Sequence, residues 1–217
     1  MQKIDLKTHY SNVEKKSDEW AGLLFDSIAS ECHIALPFQP NSKKVDPMLY
    51  DLTVVQFDKM LGNLSAILDK ASAYAEAKKF DVTILLNSRL APDQFNLVRQ
   101  VQIACDTAKL GVARLAGKVD SAPVHPDTET TMAELQGRIK AVRDYLVGFS
   151  PSDFADAEAR TVSQPRWEGK YLTGVEFAIQ HAIPNIYFHV TTAYSILRHN
   201  GVDLGKKDYL GAMPYKS

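Results

Sequence analysis

Apolar side chains recur through residues 54–75 at alternating intervals of four and three: Phe57, Leu61, Leu64, Leu68, Ala71 and Ala75. At about 100° per residue this spacing collects them on one stripe, which predicts a helix with a single buried face. From Asp81 to Asp93, Leu85, Leu86 and Leu90 precede Pro92, the pattern of a short helical turn followed by a break. A second helix is predicted from about Asp93, with the stripe Phe95, Val98, Gln102, Cys105, Ala108, Val112 and Leu115 and with Gly117 placed to end it in a left-handed cap. Gln102 is the odd member of that stripe. Beyond Pro123 and Pro126, Thr131 and Glu134 have the spacing of a capping box for a third helix, whose buried stripe is Met132, Leu135, Ile139, Val142 and Leu146. Ser150 and Pro151 close it. Gly169 and the run Tyr171-Leu172-Thr173 predict a short hairpin between Arg160 and Thr173. A second capping box, Thr173 with Glu176, opens the last helix, which runs to Asn200-Gly201 and is about 39 Å long at 1.5 Å per residue.

Four amphipathic stripes with little strand signal define an all-α fold, a four-helix bundle over residues 48–217 whose stripes face a common interior. Residues 1–47 read differently. Trp20, Leu23, Leu24 and Ile28 share a helical face, and Pro37, Pro40 and Pro47 punctuate a polar linker. They are expected to form an N-terminal helical extension, docked on the bundle or free of it, and a translation start at Met48, just ahead of the first bundle helix, is a further expectation.

Composition narrows the functional classes. A chain of 217 residues that is 45% hydrophobic accommodates one well-buried core with an appendage. The 25 basic and 26 acidic side chains leave a net charge of -1, so no basic field marks a nucleic-acid or anionic-membrane partner. No apolar run reaches the roughly 18 residues needed to span a bilayer. Cys32 and Cys105 stand far apart in no metal-type or redox spacing, as expected of a cytoplasmic protein without structural disulfides.

The best chemical lead is on the last helix, where His181, Asn185 and His189 follow at intervals of four and form a ridge. Its two histidines are about 12 Å apart along the axis, too far for both to reach one ion at a zinc distance of about 2.0–2.1 Å. Asn185 interrupts what would be a His-x-x-x-His pair, and an amide oxygen suits imidazole-loving metals poorly. No metal set and no cofactor are assigned. Pro184 withdraws the amide donor to residue 180 and predicts a kink, a feature that can open a pocket. Gln102, on the inward stripe, needs a polar partner, and the ridge is the expected one. Gln102, His181, Asn185 and His189 are therefore the candidate ligand-binding residues. Buried polar groups satisfying one another is the competing account. His9, His33, His125 and His199 are read as surface or helix-end residues, Cys105 as an inert buried thiol, and Arg89 and Arg99 as solvated or paired rather than anion-binding. There is no Gly-rich phosphate loop, HExxH or GxSxG, so the sequence names no reaction.

The block AIPNIYFHVTTAYSILRHNGVDLGKKDYLG, preceded in order by LGNLSAILDKA, LLNSRLAPDQF and RQVQIACDTAKLGVARLAG, resembles a bacterial and fungal family of unknown function within the DinB/YfiT-like metalloenzyme superfamily. The resemblance covers about Met48 to Gly211. It implies a four-helix bundle, with one metal-ligand histidine on the second helix and a histidine pair on the last in its metal-binding members, some of them thiol-dependent transferases. Carried onto this sequence, the second-helix position falls near Gln102 and the pair around Pro184 or Asn185 and Phe188 or His189, so the triad looks dismantled. The resemblance also implies homodimerisation through helix faces. Three functions follow as expectations: a bundle that binds a small polar ligand, a divalent-metal-dependent transferase or hydrolase using His189 with His181 or Asn185, and a structural homodimer whose polar ridge is core wiring.

Overall fold

The computed structural model describes residues 48–216. The expected extension around Trp20, with Cys32, His9 and His33, lies outside them. Helix α1 passes from a turn at Met48–Tyr50 through a π-helical turn at Asp51–Val55 into the α-helix Gln56–Lys78. Its predicted stripe, Phe57 to Ala75, is buried, and Lys79 caps it in the left-handed conformation with φ of 58°. The short α2, Thr83–Asn87, buries Leu85 and Leu86, while Leu90 lies beyond it and is exposed.

Helix α3, Leu97–Ala116, starts later than the stripe predicts, because the Asn96 side chain accepts a hydrogen bond from the Arg99 amide and sets the N-cap there. Phe95 consequently falls outside the helix and is 56% exposed. Gly117 ends α3 as predicted, at φ 69°. Both expected capping boxes form. Thr131 with Glu134 starts α4, Met132–Val147, and Thr173 with Glu176 starts α5. α5 is one helical run in three parts: Gly174–Phe177, a π turn at Ala178–Ala182, and Ile183–His199. The predicted irregularity at Pro184 takes the form of that π turn. With no amide hydrogen at Pro184 the ladder cannot close on residue 180, and Ile183 bonds back to the Ala178 carbonyl instead. A short α6, Lys206–Leu210, follows.

Around the bundle α1 packs on α4, α4 on α3, α3 on α5, and α5 on α1. Pairings fix the directions. Arg143 with Asp58 and Gln136 with Ser65 make α4 antiparallel to α1, while Gln56 with Tyr187 and Tyr74 beside Gly201 make α5 parallel to it. His189 against Gln100 and Asn185 against Thr107 make α3 antiparallel to α5. Helices α3 and α4 thus run the same way, and the chain from Gly117 to Thr131 must cross the length of the bundle between them. The predicted hairpin is present: β1, Thr161–Ser163, pairs antiparallel with β2, Tyr171–Thr173, in the register Val162 opposite Leu172. Its connection, containing a 3-10 turn at Pro165–Trp167, leans against the π turn of α5 through Trp167, whose ring meets those of Phe177 and His181.

Candidate functional site

Helix α3 buries 14 of its 20 residues, a larger share than any other of the four long helices, and it packs on both α4 and α5. Gln100 and Gln102 are two residues apart, about 200° around the helix, so they serve different neighbours. Gln100 faces α5. Its Nε2 donates to the Phe95 carbonyl at 3.0 Å, which leaves Oε1 to accept from His189 Nδ1 at 2.7 Å. Gln102 faces α4 and the crossover, accepting from Arg99 at 3.1 Å and donating to Glu129 at 2.9 Å. The expected union of Gln102 with the α5 ridge does not form, and Gln100 occupies the place expected of it.

Gln102 belongs instead to a charged cluster built on Arg138, whose side chain is 1% exposed. Arg138 donates to Asp106 at 2.7 Å, Asp127 at 2.6 Å and Glu129 at 3.0 Å. Arg99 also pairs with Asp127. Lys109, itself buried, donates to His125 Nδ1 at 2.7 Å and pairs with Asp106 at 2.8 Å. Asp127 and Glu129 lie on the crossover, so the cluster clamps that connection to α3 and α4. Burial alone raises both carboxyls, yet the bonds from Arg99 and Arg138 at Asp127, and from the backbone, Arg138 and Gln102 at Glu129, hold them below their usual range. Arg138 was not singled out by its sequence, and His125, read as a loop histidine, joins this clamp.

The ridge on α5 divides. His189 is buried against Gln100, and desolvation, followed by the nearby Arg99 charge, pushes its pKa down to about 4. Asn185 donates to Thr107 of α3 at 3.0 Å. His181, in the π turn, stacks on Phe177 with ring centroids 5.3 Å apart, and its Nε2 accepts from Arg166 at 2.8 Å. That bond assigns the imidazole proton to Nδ1, which is buried and has no partner. Desolvation and the charges of Arg166 and Arg114 lower the His181 pKa, so the ring is neutral at pH 7.

Asn185 and His181 open onto a cleft of about 310 Å³ between α3 and α5, roofed by Gln164, Pro165 and Arg166 of the hairpin connection. On the α3 side Thr107 and Arg114 continue the line begun by Gln100, at intervals of seven that keep all three on one face. This heptad of polar residues in an otherwise largely apolar helix was the readable signal for Thr107 and Arg114. Gln164 and Arg166 carried none, because only the hairpin's docking brings them to α5. Cys105 is fully buried, and desolvation pushes its thiol up to about 12, so it is inert at neutral pH. Among the described residues no three His, Cys, Asp or Glu side chains gather in a way that could hold a metal ion.

Residues 49–210 match the family described as Domain of unknown function (DUF1993). The chain belongs to the DUF1993 family. A crystal structure of a DinB family member protein from Shewanella denitrificans is 72% identical, covers 78% of this chain and 96% of its own, and superimposes with a TM-score of 0.77. No curated protein matches. The all-α, DinB-like fold of this DUF1993 chain is therefore as expected. Where the resemblance places a metal triad, the contact across the seam from Asn185 is Thr107 rather than Gln102, and Thr and Asn oxygens beside one imidazole are a poor donor set for zinc. No described helix is long and apolar enough to cross a membrane.

Proposed function

We propose that this DUF1993 protein is a binding bundle rather than a metal-dependent enzyme, and that it takes a small polar ligand in the cleft between α3 and α5. The observation that carries this reading is the convergence of Thr107, Gln164, His181 and Asn185 on one concave site of about 310 Å³, a volume at the lower end for small-molecule pockets. Of the four residues predicted from sequence, His181 and Asn185 serve the ligand. Gln102 clamps the crossover and His189 locks α3 to α5. A thermal-shift screen of polar metabolite-sized compounds tests the assignment. Stabilising compounds lose their effect in Asn185→Ala and His181→Ala and keep it in Gln102→Ala. Shifts that survive both cleft variants would remove the site from α3 and α5.

Exposed Phe188 and Ile179 on α5 and Phe95 ahead of α3 leave apolar surface that supports the homodimer. The free thiol of Cys105 and the balanced charge support a cytoplasmic protein that engages no nucleic acid.

A further inference from the structure

The cleft holds positive charge that the described residues leave uncompensated. Among the described residues neither Arg114 nor Arg166 is paired with an Asp or Glu. Arg114 makes no ion pair or side-chain hydrogen bond among the described residues, and Arg166 donates to the neutral imidazole of His181. Asp106 also reaches the cleft, but its carboxylate is already shared between Arg138 at 2.7 Å and Lys109 at 2.8 Å. Arg114 is half-buried, and burial followed by the like charge of Arg166 lowers its pKa. Two guanidiniums drawn to one partly desolvated site, with the nearby carboxylate committed elsewhere, lack a counter-charge that a ligand can supply.

We propose that the ligand is a small organic anion, whose oxyanion head group, carboxylate or phosphate, sits between Arg114 and Arg166. The proposal rests on the reading of the cleft as a ligand site and adds the chemical class. Guanidinium forks match oxyanions in a bidentate way that a neutral polar group does not exploit. The remaining wall is apolar, with Ile103, Leu110 and Phe177 offering contact to a short hydrocarbon body. Thr107 and Asn185 are already bonded to each other at 3.0 Å and orient the head group from the α3–α5 seam. An amine is disfavoured by the same two charges.

Isothermal titration of the full-length protein at low ionic strength with four probes tests this: butyrate, phenyl phosphate, butyramide and butylamine. Butyrate, phenyl phosphate or both bind, and the neutral and cationic probes do not. Binding by one anion alone identifies the head group. Arg114→Met and Arg166→Met each weaken the anion by about tenfold or more, the size expected for losing a charged hydrogen-bond partner. Circular dichroism verifies that each variant is folded, and Arg166, exposed on the hairpin connection, is the variant that leaves the core untouched.

Equal binding of butyramide and butyrate would overturn the anion assignment while leaving the cleft as a ligand site. Anion affinity unchanged in the double Arg114→Met, Arg166→Met variant would overturn it too, because the binding would lie elsewhere. Failure of both anions to bind the wild type at about 10 mM, some 3 kcal/mol of affinity, also overturns it. In that case the thermal-shift screen with Asn185→Ala decides separately whether the cleft takes a neutral ligand or none.

Discussion

Arg138 shows how one side chain determines a connection. Its position three residues after Leu135 and four before Val142 puts it on the buried stripe of α4, where a charge requires partners. Two of those partners, Asp127 and Glu129, lie on the crossover and the third, Asp106, on α3. Arg138→Met removes the shared cation, leaving Asp127 to Arg99, Asp106 to Lys109 and Glu129 without an ion-pair partner, so the variant loses about 3 kcal/mol of stability by urea unfolding. The loss falls at the lower end for a broken buried pair because the carboxylates are partly exposed. A change near zero would mean that the carboxylates are solvated and the clamp contributes little. The sequence placed a charge on the buried face of α4, but it held no sign of which acids would meet it, since they come from two other segments.

Among the elements, α5 depends most on local exceptions. Its N-terminus is held by the Thr173–Glu176 box, legible as a motif, and by Gly174, which is not. A Cβ on Gly174 would stand 1.7 Å from the Ala157 carbonyl oxygen, so the helix start lies flush against the backbone of the preceding segment. Gly174→Ala must push the two apart and loses about 2–3 kcal/mol by chemical denaturation, despite alanine's better helix propensity. A neutral or stabilising outcome would show that the contact relaxes freely. The same region docks the hairpin connection that roofs the cleft, so this variant also weakens ligand-induced stabilisation. The π turn at Ala178–Ala182 was announced by Pro184 only as an irregularity. Its effect on His181, which it sets beside Phe177 and the hairpin connection rather than in one continuous α-helical ridge with Asn185 and His189, required the packed helix.

At the scale of the whole molecule, the polar seams make stability depend on pH. His189 is neutral in the folded state down to about pH 4, against an ordinary value of 6.5. The unfolded chain takes up the proton first as pH falls, so the contribution of His189 is complete above pH 6.5 and is lost between there and about pH 4. His125 and His181 are lowered as well, the first by burial and then Lys109, the second by burial and then Arg166 and Arg114, and both act in the same direction. Unfolding free energies measured across this range therefore decline with acidity, with His189 supplying up to about 3 kcal/mol. His189→Gln, which cannot titrate, flattens the decline, and an unchanged slope would place the ring in solvent.

The stripes of four helices, both capping boxes, the Gly117 stop and the hairpin were legible because each is a local matter of periodicity or turn chemistry along one segment. So was the burial of Gln102, though not its partner. A single stripe cannot show that α3 has two neighbours, and with two neighbours Gln100 and Gln102, a half-turn apart, go to different seams. Which polar groups meet, and that Arg114 and Arg166 share a cleft whose one carboxylate, Asp106, is paired to other cations, was decided only when antiparallel packing of α3 on α5 and the docking of the hairpin brought distant segments together.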